Sequence, residues 1–354
     1  MPSDNVDYLP IVSGTSIEVM TDVESNSIDV AIGDQEDAVL PSLTIIPESA
    51  YPAEVSLPLL SIRRFSHEKT PDADYIPGER IGQGALSVVI RAFQVSLNRD
   101  VVLKVFREPK DPRSTVARKS VFSKEATLIA RLTHPNIVPV YDAGIVAGGE
   151  FDGRPFYAMR EIIGTSWSNR IGEMSMTENL DVFLSISEGI SYAHSQNIVH
   201  CDIKPDNIQL GYFGEVFVLD WGLAFDTTKL DSFHVGGTLA YCSPEMALLL
   251  DQSMKKVDIR KSEVGMLSDV YLMGSTLFQI ITGLPPRYRK PSGANLSEDI
   301  QRAIRNEINV PPEHENNELM QIALSALRKN NVHQITSIDD MARLVKSFRM
   351  VHSI

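Results

Sequence analysis

The stretch HCDIKPDN, His200 to Asn207, gathers a His, two Asp, a Lys and an Asn within eight residues, and sets Cys201 beside the first Asp. Asp202 is a candidate to take a proton from an attacking hydroxyl, and Lys204 to neutralise a phosphoryl group in transit; Asn207 is a candidate to offer a neutral oxygen to a divalent metal. Thirteen residues past Asn207, VLDWG ends a hydrophobic run on Asp220, and Gly222 frees the backbone to turn. Asp220 is a second metal candidate, bridging the ion to phosphate oxygens. Any one of these acids is more often a surface turn or a helix cap. Their joint occurrence, in this order, is what argues for a site.

Upstream, GQGALSV (Gly82 to Val88) lies between two strand-like runs, with Gly at its first and third positions. Glycine there lets backbone approach a phosphate closely, although a two-glycine hairpin turn is the commoner explanation. VVLKV follows, and Lys104 stands between Leu103 and Val105, where a buried ammonium is costly unless paired. Either Lys104 snorkels to solvent, or Glu125 in the following helical segment holds it while it contacts a nucleotide's phosphates.

These residues need a scaffold, and the periodicity supplies one. From about Asp74, YIPGERIGQGALSVVIRAFQ and RDVVLKVF read as antiparallel strands. Helical spacing in SVFSKEATLIARL puts Phe122, Ala126, Ile129 and Ala130 on one face. HPNIVPVYDAGIVAGGE and RPFYAMREII return to strand character, and beyond Gly164 helical segments dominate, among them NLDVFLSISEGISYAHSQ and MLSDVYLMGSTLFQIITG. Strands first and helices afterwards predict an α+β fold in two lobes, residues 74–163 and 164–354.

The net charge of −13 over 354 residues argues against non-specific nucleic-acid binding. Residues 1–62 hold eleven acidic and no basic side chains, so they carry −11 of that total. Residues 1–73 therefore read as an acidic, disordered tail, whose patches LTIIP and VSLPLLSI leave room for docking a protein partner. Two cysteines, Cys201 and Cys242, are too few for a disulfide framework. With no run near the roughly 18 to 20 apolar residues of a membrane helix, no signal peptide and no anchor expected after Phe348, the expectation is a soluble cytoplasmic protein.

Taken together, these segments resemble the eukaryotic-like, bacterial-type serine/threonine protein kinase family from about Asp74 to Phe348. GQGALSVV is similar to the glycine-rich loop, VVLK to the strand bearing the phosphate-binding lysine, and KEATLIARLTHPNIV to the helix bearing its glutamate partner. HCDIKPDN resembles the catalytic loop, DWG the metal-binding DFG motif, GTLAYCSPEMA the segment ending in APE, and SDVYLMG the helix whose Asp269 braces the catalytic loop. The resemblance implies a bilobal fold, ATP with Mg²⁺ or Mn²⁺, and protein substrates. It makes Asp202 and Lys204 catalytic and gives the metal to Asn207 and Asp220. The nucleotide would be held by Ile81, Gly82, Gly84, Ser87, Val89, Val102, Lys104, Glu125, Met159, Glu161 and Gln209. Lys204–Pro205 and Thr238 are similar to serine/threonine rather than tyrosine kinases.

Several positions depart from that pattern. Ser87 replaces the third loop glycine, and Trp221 the aromatic of DFG. Val102 stands where the family prefers Ala over the adenine, and Gln209 where an apolar residue forms the floor; both point to weaker nucleotide binding. Gln334 stands where an arginine would pair with Glu245. Cys201 replaces the HRD arginine that faces a phosphorylated activation-loop residue, so strict dependence on phosphorylation of Thr227, Thr228 or Ser232 is not expected. Three readings follow: a serine/threonine protein kinase, a nucleotide-poor pseudokinase scaffold, and a small-molecule kinase of the aminoglycoside or choline type, against which the Thr238–Glu245 segment stands.

Overall fold

The computed structural model describes residues 73–84, 86–108, 115–229, 235–255, 264–288, 295–328 and 334–353, with four earlier strands described by their backbone. Those four are β1 (Ser16–Thr21), β2 (Ile28–Ile32), β3 (Ser42–Ile46) and β4 (Arg64–Phe65). The β-branched runs that follow become β5 (Ala73–Gln83), β6 (Ser87–Gln94) and β7 (Arg99–Phe106). Next come α1 (Thr115–Ala130), β8 (Val140–Ile145) and β9 (Pro155–Arg160). The smaller lobe is a six-stranded sheet in the order β4-β5-β6-β7-β9-β8, antiparallel except at its β4 edge.

Strand alternation sorts β7 into two faces. Val101, Leu103 and Val105 enter an apolar cluster with Tyr75, Ile90 and Phe156, so Val102 and Lys104 turn to the other face. Direct cross-strand partners share a face, and the register pairs Val89 with Lys104, Lys104 with Tyr157, and Val102 with Met159. In α1, Phe122, Ala126 and Ile129 are buried as their spacing predicts, whereas Ala130, the last residue of the helix, is exposed. Glu125 is buried with the apolar residues because the helix packs on the face that carries Lys104.

The larger lobe contains β10 (Gly164–Ser166), α2 (Met176–Ser195), β11 (Ile198–Val199), β12 (Ile208–Gly211), β13 (Val216–Val218), β14 (Phe225–Asp226) and β15 (Val235–Thr238). Helices α3 (Pro244–Met254), α4 (Met266–Thr282), α5 (Leu296–Ile304), α6 (Glu318–Leu327) and α7 (Ile338–His352) complete it. Every residue of α4 from Ser268 to Gln279 is buried, so this helix forms the centre of the lobe. The order is that of a bilobal α+β protein. β10, β12 and β13 form a small sheet under the cleft, and Gly164 is required there, since a Cβ would lie 1.9 Å from the carbonyl oxygen of Leu210.

β3 pairs antiparallel with β15 and parallel with β1, which pairs antiparallel with β2. These stretches are strands although the sequence there shows no sustained strand period, and the LTII patch meets this chain's own Val235–Thr238. VSLPLLSI lies outside the described residues, as does Ser232. Among the described residues no helix is long and apolar enough to cross a membrane.

Candidate active site

Lys104 reaches across the cleft from β7. Its Nζ lies 2.7 Å from Glu125 Oε1 on α1 and 3.2 Å from Asp220 Oδ1 in the larger lobe. The Tyr157 hydroxyl donates to the same Glu125 oxygen at 3.0 Å. Burial raises the Glu125 carboxyl and opposes charge on Lys104 too, but Glu125, Tyr157 and Asp220 outweigh it and hold the ammonium well above its ordinary value. We take the pair as ionised, because a 2.7 Å contact with a third donor on the carboxylate favours charge on both partners. Lys104 lowers the pKa of Asp220, whose side chain is 54% exposed and so keeps an oxygen facing the cleft.

The catalytic-loop residues are organised from below by Asp269 on α4, which is completely buried. Its Oδ1 accepts the Cys201 N–H and its Oδ2 the His200 N–H, each at 2.8 Å, and Oδ2 also meets His194 Nε2 at 2.8 Å. These bonds hold Cys201 at φ 66°, a left-handed turn that non-glycine residues rarely adopt. The Asp202 N–H donates to His200 Nδ1, which assigns the ring proton to Nε2, 3.1 Å from the Leu219 carbonyl. Trp221 packs on that ring with centroids 4.6 Å apart, filling the space the sequence assigns to an aromatic there.

The turn converges four polar side chains. Asp202 Oδ2 lies 2.9 Å from Asn207 Nδ2 and 3.1 Å from Lys204 Nζ. Lys204 donates to Thr238 Oγ1 at 2.6 Å, and the Thr238 hydroxyl donates to Asp202 Oδ1 at 3.0 Å. Asn207 Nδ2 also reaches the Asp202 carbonyl at 2.7 Å, so its amide nitrogen is spent inward and its carbonyl oxygen is left for another partner. Burial opposes charge on Lys204, but Asp202 and Asp206 raise its pKa. Cys201 is 2% exposed; burial, with Asp269, Asp202 and Glu245, pushes its thiol well above the usual range, the reverse of a reactive thiolate.

The remaining expected positions surround this centre. Gly82 and Gly84 close the β5–β6 turn, with the Gly84 N–H on the Ser87 carbonyl at 2.8 Å. A Cβ on either glycine would meet nothing nearer than 3.5 Å, and neither has positive φ, so the fold itself does not demand glycine there. The room they leave suits a ligand's phosphates. Ser87 is buried, Ile81 exposed, and Val89 and Met159 half-buried on the face shared with Lys104. Val102 is 5% exposed on that face, and Gln209 on β12 is half-buried opposite Ser166 and Phe217. The Glu161 carboxylate instead binds Arg91 on β6, leaving its backbone as the part available to a ligand. Asn207 and Asp220 present two hard oxygen donors, the set Mg²⁺ takes when phosphates and waters complete its shell.

Some participants were not evident from sequence. Tyr157 is assigned by the register that places it opposite Lys104. Ser268 donates to Glu245 at 2.9 Å, a partner the sequence reading did not name for that carboxylate. Arg131, just past α1, binds Asp226 Oδ2 at 2.7 Å, and the Thr228 hydroxyl donates to Asp226 Oδ1 at 2.6 Å. Arg287 binds the carbonyls of Leu239 and Cys242.

Residues 75–346 match the protein kinase domain. Among curated proteins, serine/threonine-protein kinase PknD of Chlamydia trachomatis serovar D is 28% identical over 305 residues, 76% of this chain and 31% of that protein. The probable serine/threonine-protein kinase PknB of Bifidobacterium longum is 32% identical over 224 residues, 60% and 30% of the two chains. PknD of Protochlamydia amoebophila is 30% identical over 234 residues, 57% and 22%. The chain thus spans about a third or less of the length of these relatives. A domain match over most of the chain, with the bilobal fold and the cleft between Lys104 and Asp202, makes it a member of the protein kinase family.

Proposed function

We propose that the chain is a serine/threonine protein kinase, transferring the γ-phosphoryl group of ATP to Ser or Thr hydroxyls of proteins. The observation that carries this is the closed contact set of Asp202, Lys204, Thr238 and Asn207 opposite an intact Lys104–Glu125 pair. Lys104, fixed by Glu125, binds phosphate oxygens of the nucleotide, and the Gly82–Ser87 turn covers them. When bound, ATP supplies the phosphoryl group, and Mg²⁺ or Mn²⁺ on Asn207 and Asp220 neutralises its charge. Asp202 orients the substrate hydroxyl and takes its proton as the new O–P bond forms and the β–γ bridging P–O bond breaks, with ADP leaving. Lys204, 3.1 Å from Asp202, faces the charge on the group in transit.

Cys201 occupies the place of the HRD arginine and Asp220–Gly222 that of DFG. Lacking that guanidinium, a phosphate on the activation segment has lost one anchor, so phosphatase treatment should leave activity within about a few-fold of untreated protein. On this reading the acidic first 73 residues, apart from the stretch that pairs with β15, would dock a protein partner, and the kinase would act in the cytoplasm.

Labelled ATP with Mg²⁺ or Mn²⁺ and a basic protein substrate tests the reading, with Asp202→Asn as control. Transfer by the wild type alone is expected; equal background labelling by both would overturn it. A second reading, a nucleotide-poor scaffold, is favoured by Val102 filling the cleft face at 5% exposure. A ligand at 100 times its Kd stabilises a fold by about 2.7 kcal/mol, so no thermal shift at millimolar ATP would select the scaffold.

A further inference from the structure

We infer that Arg287 is a positioning residue for protein substrates: its guanidinium fixes the Thr238–Cys242 turn on α4 and thereby sets Thr238 against Asp202. The inference deepens the kinase reading and rests on it. Arg287 follows the left-handed Gly283 that ends α4 (φ 80°), and it is 3% exposed. Its Nε donates to the Leu239 carbonyl at 3.2 Å, its Nη2 to the Cys242 carbonyl, and its Nη1 to the Tyr271 hydroxyl. Tyr271 in turn donates to Asn306 Oδ1 at 2.6 Å, and Asn306 Nδ2 donates to the Leu327 carbonyl at 2.8 Å, which ties the network to the end of α6.

The turn itself has little freedom left once these bonds are counted. The third carbonyl, that of Tyr241, accepts the Ser275 hydroxyl at 2.9 Å. The Tyr241 and Cys242 N–H groups both return to the Thr238 carbonyl at 2.9 Å. Of the three carbonyls between Leu239 and Cys242 that α4 and its flank hold, Arg287 thus holds two, the Leu239 carbonyl also accepting from the Cys242 thiol at 3.8 Å. Thr238 opens the turn, and its hydroxyl bridges Lys204 and Asp202.

Burying a guanidinium is costly, and a hydrocarbon side chain would fill the same space without that cost. The oxygens its three nitrogens reach are the Leu239 and Cys242 carbonyls and the Tyr271 hydroxyl, all uncharged. Only a rigid fork of donors satisfies two carbonyls three residues apart together with a phenol oxygen; a lysine ammonium, a single point, does not. The role argued for is therefore directional.

The test uses the full chain with Arg287→Lys, which retains charge but not the fork, and Tyr271→Phe, a milder change that removes only the hydroxyl. Amide exchange at Tyr241 and Cys242 reads the turn, and separate KM values for ATP and a basic protein substrate read function. Losing a charged hydrogen bond corresponds to about ten-fold or more. Arg287→Lys should therefore speed exchange at those two amides and raise the protein KM by about that factor, with the ATP KM within about two-fold; Tyr271→Phe should move both the same way by less. Unchanged exchange at Tyr241 and Cys242 in Arg287→Lys overturns the inference. So does a rise spread evenly over both lobes with both KM values increasing together. Should wild type and Asp202→Asn label protein equally, the kinase reading fails, while the exchange measurement still decides whether Arg287 holds the turn.

Discussion

Lys104 is held by Glu125 and Asp220, and Glu125 is in turn held by Tyr157, so on the kinase reading proposed above the Tyr157 hydroxyl would support nucleotide binding from behind the Lys104–Glu125 pair. Tyr157→Phe removes one donor from a buried carboxylate and should cost about 1 kcal/mol of stability; a urea titration checks it. The freed Glu125 oxygen pulls Lys104 deeper, so the ATP Kd should rise several-fold. Val102 gives the opposite sign for the ligand. Removing two methyl groups in Val102→Ala should destabilise the apo protein by about 1–3 kcal/mol, yet open the cleft face and tighten ATP binding. Calorimetry and a denaturation curve on the same sample read the two effects; weaker ATP binding in Val102→Ala would show that the methyls favour the base rather than obstruct it, and unchanged binding that this face does not meet the base. Asp202, Lys204 and Asn207 were legible in the sequence because a loop keeps near neighbours near. Tyr157 was not, because its role depends on a cross-strand register that spacing along one strand does not contain.

At the scale of elements, the end of α1 and β14 are joined by one carboxylate. Asp226, buried in β14, accepts from Arg131 and Thr228, and the Thr227 hydroxyl bonds the Asn197 carbonyl at 3.2 Å. Burial opposes its ionisation, but the bonds from Thr228 and Arg131 win and lower its pKa to about 2 from 3.8. A depressed carboxyl contributes stability that is fully present above the unfolded value and is lost as pH falls through the folded one. The shift corresponds to roughly 2 kcal/mol. Asp226→Asn should therefore lower stability by about that amount at pH 7, and the gap to wild type should narrow between pH 4 and pH 2. Urea midpoints of both proteins at each pH measure it, and a gap independent of pH would mean that packing, not charge, holds the junction. The helical character of α1 followed from periodicity, whereas nothing in the spacing marked Phe225–Asp226 as a strand. Ala130, the last residue of α1, is exposed although its neighbours Ile129 and Leu132 are buried, so the apolar face is narrower than its spacing predicts.

For the whole molecule, polar contacts join the two lobes at several points, among them Arg131–Asp226 at 2.7 Å and Arg160–Glu215 at 2.8 Å, and at the site itself Lys104 meets Asp220 at 3.2 Å. The bilobal order was legible because strands precede helices in the chain. What the order does not contain is which groups return to the cleft: Arg287 lies far along the sequence, yet closes on the turn beside Asp202. Nucleotide and metal would add a second bridge, from Lys104 in one lobe to Asn207 and Asp220 in the other. The metal-dependent part of ATP stabilisation should thus report coupling between lobes. With Mg²⁺ and ATP at 100 times the Kd, unfolding should stay a single transition raised by about 2.7 kcal/mol. Chelation with EDTA should remove most of that shift while leaving the apo transition in place, because among the described residues no cluster of three or more His, Cys, Asp or Glu is placed to hold a structural ion. In Asp220→Asn, which weakens both bridges, the shift should be small with or without EDTA, and the smaller lobe should melt ahead of the larger. A full, EDTA-sensitive shift in Asp220→Asn, read by calorimetry, would remove Asp220 from the metal site and leave Lys104 as its only role.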